Sequence, residues 1–142
     1  MGCCCYHDQL VNIRRELHKN PEEGWSEFTT TAFLVNTLRG YGYEVLLGRK
    51  VVNPDACLGR SMKVVEAGIE RARKNGVSED LLNEMQELTG CCAVLDTGRP
   101  GPVFAVRFDI DCVPVTESTE QDHIPQSEGF ESTRPGLMHA CG

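Results

Sequence analysis

Apolar residues recur at helical spacing over residues 8–19, at Leu10, Val11, Ile13 and Leu17, and Asn20-Pro21 supplies a stop. A second helix is predicted from Ser26, with Phe28, Ala32, Val35 and Leu38 forming its stripe and Gly40 ending it. A short strand over 43–47 follows, then a loop over 48–60 that mixes Gly, Pro and charge. Ser61 begins a helix through Lys74 that Asn75-Gly76 closes, and Ser78 caps another through Leu88. Beyond residue 90 the period changes. Short apolar runs at 91–95 and 102–106 flank Asp96-Thr97-Gly98-Arg99-Pro100-Gly101, which predicts a hairpin whose second strand continues to Asp111. Residues 112–142 read as loop, punctuated by Pro114, Pro125, Gly129, Pro135 and Gly136. Helices first and strands after, one strand apolar enough to be buried on both faces, predict an α/β layered fold.

The 142 residues suit one domain that buries roughly two-thirds of its unfolded surface. Fourteen Lys plus Arg against 21 Asp plus Glu leave a formal charge of −7 without a basic run, which argues against nucleic acid as partner. No apolar stretch approaches the roughly 20 residues of a membrane helix. The start, Met1-Gly2-Cys3-Cys4-Cys5-Tyr6, lacks a secretory pattern, and Tyr6 stands where a myristoylation motif needs Ser or Thr. Eight Cys without any C-x-x-C pair fit reduced thiols in the cytoplasm better than a disulfide framework or a zinc ribbon.

Three groups of residues could carry chemistry. Asp109 and Asp111 stand at the end of an apolar strand, where ligands collect in open α/β sheets; a cation would relieve their repulsion, and so would a turn cap on one and solvent on the other. His139 and Cys141 lie two residues apart and are of the types that bind zinc, although two ligands do not make a site. Arg15, His18, Pro21, Glu22 and Glu27 form a polar cluster at a helix end, most simply a solvated terminus.

Four strings then coincide in order: Arg14-Arg15-Glu16-Leu17-His18-Lys19-Asn20-Pro21-Glu22, Glu27-Phe28-Thr29-Thr30-Thr31, Arg107-Phe108-Asp109-Ile110-Asp111 and Gly136-Leu137-Met138-His139-Ala140-Cys141-Gly142. Together they resemble the dinuclear-metal amidohydrolases of the aminoacylase and carboxypeptidase family. Residues 48–53 and 95–102 are similar to its aminobenzoyl-glutamate utilisation branch. The resemblance implies an incomplete zinc-peptidase-like three-layer catalytic domain, helices then a mixed sheet, with a helical insert at about 53–89 and without the family's dimerisation domain. It implies two Mn²⁺ or Zn²⁺ ions, with Cys141 as a metal ligand and Asp111 as the catalytic-site aspartate that orients one. Asp109 stands where neighbouring branches have a His ligand, and His139 shapes the loop. The implied substrate is a small-molecule amide between an aromatic acyl group and an amino acid, p-aminobenzoyl-glutamate above all. The family's other ligands and its glutamate base do not occur in these 142 residues, so the chain alone is expected to be inactive and to self-associate or pair with a second hydrolase subunit. The competing readings are a non-catalytic remnant serving as a binding or assembly module, and a small thiol or zinc protein.

Overall fold

The computed structural model describes residues 3–141, with the backbone alone for 3–5, so the reading of Gly2 lies outside the described residues. The chain divides into two compact units, one of Met1–Glu23 with Asp111–Gly142 and one of Gly24–Ile110.

In the first unit, helix α1 covers Cys3–Lys19, starting five residues before the predicted point. His18 and Lys19 occupy its last turn, where positive charge suits the exposed carbonyls. The Nδ2 of Asn20 donates to the Glu16 carbonyl, and Pro21 prevents another turn. The segment from Asp111 onward is not the loose loop that its prolines and glycines predict. Isolated bridges pair Glu23 with Cys112 and Val113 with Met138, and the short helix α5 runs Ile124–Glu128 with Pro125 in its first turn. Backbone polar groups of this segment find partners at the end of α1: the Thr133 N–H and hydroxyl both donate to the Lys19 carbonyl, at 2.9 and 2.8 Å. Arg134 donates to the Pro21 carbonyl at 3.0 Å. Composition registered the turns here and missed these long-range partners.

In the second unit, α2 (Phe28–Gly40), β1 (Glu44–Leu46), α3 (Met62–Lys74), α4 (Glu79–Met85) and β2 (Cys92–Val94) surround one core. Phe28, Val35, Val65, Ala72 and Met85 are fully buried in it, with Leu81, Leu82, Val45 and Leu47 beside them. Helix α2 begins at Phe28 rather than Ser26, because Ser26 is otherwise engaged: its carbonyl and hydroxyl accept from Arg71. Gly68 on α3 lets that helix approach, since a Cβ there would lie 2.8 Å from the Ser26 Cβ and 2.9 Å from its carbonyl oxygen. Ser78 caps α4 as predicted, its hydroxyl accepting from the Leu81 N–H, yet the helix ends at Met85 because Gln86 and Glu87 turn left-handed. The predicted loop over 48–60 holds two 3₁₀ turns, Gly48–Lys50 and Pro54–Ala56.

The sheet departs from expectation. The predicted hairpin between 91–95 and 102–106 does not form; β2 pairs instead with β1, antiparallel, with Val45 opposite Ala93. Val45 and Ala93 thereby join the helical core, whereas Val103, Phe104 and Val106, in the apolar run after Gly101, are exposed. Among the described residues the sheet has these two strands and is antiparallel, not mixed. No described helix is long and apolar enough to cross a membrane.

Candidate functional site

The polar cluster at the end of α1 is not a solvated terminus, because His18, Pro21 and Glu22 are buried. His18 reaches Glu117, a residue that local sequence reasoning passes over. The Glu117 carboxylate gathers three parts of its unit: one oxygen accepts from His18 Nε2 at 2.7 Å and from His123 Nε2 at 2.9 Å, and the other accepts from the Ser132 N–H at 2.5 Å. An ionised carboxylate only accepts, so both imidazoles carry their proton on Nε2 toward it. Burial works against ionisation of Glu117, but the bonds from His18, the Ser132 N–H and His123 outweigh it and hold its pKa below the usual carboxylate value. Phe130 stands edge-on to His18, centroids 5.7 Å apart, and lies under the Arg15 guanidinium at 4.7 Å. Arg15 also pairs with Glu128. No periodicity could have found Glu117, since its partner His18 lies 99 residues away. The one available signal is that Glu117 is the first charged side chain after Asp111, set behind the uncharged run Cys112-Val113-Pro114-Val115-Thr116.

His139 belongs to the same unit. Its Nε2 is buried and has no hydrogen-bond partner among the described residues. Its pKa is pushed down, first by burial and then by the charge of His18, while the charge of Asp111 opposes the shift. Asp111 is exposed and near enough for that field to reach His139. Cys141 is exposed with a free thiol, whereas burial pushes Cys112, in the same unit, up to about 11. Asp109 belongs to the other unit, where it is exposed and ion-paired with Arg107. The structure thus brings Asp111 and His139 into one neighbourhood with His18 and Glu22, and gives Asp109 a local partner of its own.

The two metal ions implied by the resemblance can be tested against these positions. No three His, Cys, Asp or Glu side chains among the described residues converge to hold a metal ion. The present residues do not by themselves fit such a centre, since catalytic metal sites generally use three protein ligands and an open position.

No family model matches the chain. Individual relatives do. The chain is 47% identical over 136 residues to a homolog, from Haemophilus influenzae, of the A-type subunit of p-aminobenzoyl-glutamate hydrolase, covering 95% of this chain and 32% of that protein. It is 40% identical to indole-3-acetyl-aspartic acid hydrolase of Enterobacter agglomerans and 39% identical to the A-type subunit of p-aminobenzoyl-glutamate hydrolase from Escherichia coli, in each case over 94% of this chain and 31% of the relative. More distant matches include carboxypeptidases and deacetylases. The crystal structure of an aminobenzoyl-glutamate utilization protein from Klebsiella pneumoniae superposes with a TM-score of 0.70 at 37% identity, over 75% of this chain and 27% of that one. By these likenesses the chain is similar to part of several hydrolases, among them deacetylases and carboxypeptidases. It spans about a third of the length of the curated relatives it matches.

Proposed function

We propose that this chain contributes the part of an amidohydrolase catalytic domain that carries α1, the Glu117 cluster and the Asp111, His139 and Cys141 positions. The observation that carries this reading is the 47% identity, over nearly all the chain, to the p-aminobenzoyl-glutamate hydrolase homolog of Haemophilus influenzae. The relatives' names sharpen the substrate class. Two are hydrolases of p-aminobenzoyl-glutamate and one of indole-3-acetyl-aspartate, and these substrates share an aromatic acyl group in amide linkage to an acidic amino acid. We assign that class to the whole enzyme, with p-aminobenzoyl-glutamate first, and the three-layer zinc-peptidase-like arrangement to its complete catalytic domain. Because two of these relatives are named as one lettered component of a hydrolase, a differently lettered component is the partner that the reading supports.

In that enzyme Cys141 would be a ligand and Asp111 would orient one, the Mn²⁺ or Zn²⁺ pair supplying Lewis acidity and an activated water. The residues of this chain hold and orient: Glu117 ties the end of α1 to the segment that bears Asp111, His139 and Cys141. The unpaired thiols of Cys57, Cys91, Cys92, Cys112 and Cys141 support a reducing compartment, the cytoplasm. The test is a chimera in which this chain replaces the matching third of the Haemophilus influenzae relative. The chimera is expected to cleave p-aminobenzoyl-glutamate and indole-3-acetyl-aspartate, and the isolated chain neither. A folded chimera that hydrolysed only aliphatic N-acyl amino acids would overturn the assignment.

A further inference from the structure

The stretch from Ser132 to Leu137 is fixed at both ends, and it delivers the chain to His139 and Cys141. Its start is pinned against the end of α1. The Ser132 N–H donates to the Glu117 carboxylate, whose other oxygen receives His18. Thr133 donates to the Lys19 carbonyl, and Arg134 to that of Pro21. Its far end is a tight turn. The Leu137 N–H returns to the Arg134 carbonyl at 3.1 Å, with Pro135 and Gly136 in the central positions. Gly136 has φ +80°, the left-handed value that a type II turn requires at its second central residue. Just beyond, Met138 and Val113 exchange N–H to carbonyl bonds in both directions at 3.1 Å, and Val113 stands two residues past Asp111. One side chain joins the two ends. The Ser132 hydroxyl has a single proton, and the Leu137 carbonyl at 2.7 Å is a closer acceptor than the Arg134 carbonyl at 3.1 Å; its oxygen accepts the Arg134 N–H, also at 3.1 Å. The hydroxyl therefore spans the turn from its first residue to its last, while Glu117 holds the amide of the same residue.

We propose that Ser132 is a positioning residue of the hydrolase site and acts through the 134–137 turn. Its hydroxyl fixes the direction in which the chain leaves for His139 and Cys141, and so the placement of those residues relative to Asp111. That role rests on the site proposed above, with Asp111 and Cys141 in it. The two functions of Ser132 can be separated. Alanine keeps the backbone N–H on Glu117 and removes only the strut across the turn, whereas threonine retains the hydroxyl. Gly136 offers an independent route to the same turn. A methyl there meets nothing within 4 Å, yet the positive φ is one that side-chain-bearing residues rarely adopt, so G136A disturbs the turn without crowding it.

The test begins with amide hydrogen exchange on the whole 142-residue chain, read residue by residue by NMR. In S132A the Met138 and Val113 amides are expected to exchange about fivefold faster or more, the factor that one lost hydrogen bond supplies. S132T is expected to restore their rates, and G136A to reproduce the S132A pattern. The Thr133 amide on Lys19 and the amides of α1 are expected to keep their native rates, which separates a displaced turn from a loosened fold. In the chimera with the Haemophilus influenzae relative, S132A is expected to lower kcat about tenfold or more and S132T to recover it, since small misplacements at a site are costly. Native exchange at Met138 and Val113 in S132A would overturn the proposal, as would acceleration spread evenly over α1 and Thr133, or a chimera whose kcat ignores S132A. A chimera inactive before any substitution would instead overturn the hydrolase reading; the exchange rates need no turnover and decide the hold of Ser132 on the turn by themselves.

Discussion

At the scale of single residues, Glu117 has the largest consequences. Its carboxylate satisfies two imidazole N–H groups and a backbone N–H, and each hydrogen bond to a charged group contributes about 1.5–3 kcal/mol. E117Q keeps an acceptor oxygen but loses the charge, and is expected to lower stability by about 1–3 kcal/mol at neutral pH in urea unfolding. The pH dependence has a definite sign. A carboxylate whose folded-state pKa lies below its ordinary value of 4.5 contributes stability that is fully present above 4.5 and lost as pH falls through the lowered value. The gap between the native chain and E117Q is therefore expected to close below pH 4.5; a gap constant with pH would mean that Glu117 is not ionised in the fold. Sequence reasoning reached His18 but read it as solvated. A helix end gives no local sign of a partner 99 residues away, and that partner decides the burial.

At the scale of elements, the contrast between the helices and the strand after Gly101 shows where pattern reading succeeds. Helix α3 was legible because Val65, Gly68 and Ala72 place one buried stripe at three- and four-residue spacing, and Ser61 and Asn75-Gly76 mark its ends. The run 102–106 carries an equally apolar pattern, yet a strand needs a neighbour, and β2 already pairs with β1. Periodicity reports which side chains want cover; it does not report which element provides it. Gly68 permits a test at this scale. Gly to Ala within a helix normally adds about 1 kcal/mol of stability, but a methyl here would press on Ser26, including its carbonyl oxygen. G68A is expected to destabilise by about 1–3 kcal/mol in thermal or urea unfolding. G40A, at the end of α2 with nothing within 4 Å, is expected to be neutral or slightly stabilising. A stabilised G68A would refute the close approach of α3 to Ser26.

At the scale of the molecule, the site residues proposed from resemblance divide between the two units, Asp109 in one and Asp111, His139 and Cys141 in the other. The family motif was legible in sequence because it is a string; the convergence of ligands was not, because convergence is a property of the fold. With no three ligand-type side chains meeting among the described residues, calorimetric titration of the isolated chain with Mn²⁺ or Zn²⁺ is expected to show no tight stoichiometric binding, and C141A is expected to titrate identically. Tight binding abolished by C141A would show that a partial centre already exists.

The division of the chain also imposes an order in time. The unit containing α1 is closed by residues from Asp111 onward, with all of Gly24–Ile110 between its two parts. A ribosome adds roughly 5–20 residues per second, so His18 emerges several seconds before Glu117 exists to receive it. By the end of that interval Gly24–Ile110 has its entire helical core available and can fold as a continuous stretch. The first helix to be made is thus among the last to be secured, and a nascent chain interrupted before Asp111 would hold α1 without the partners that close its own unit.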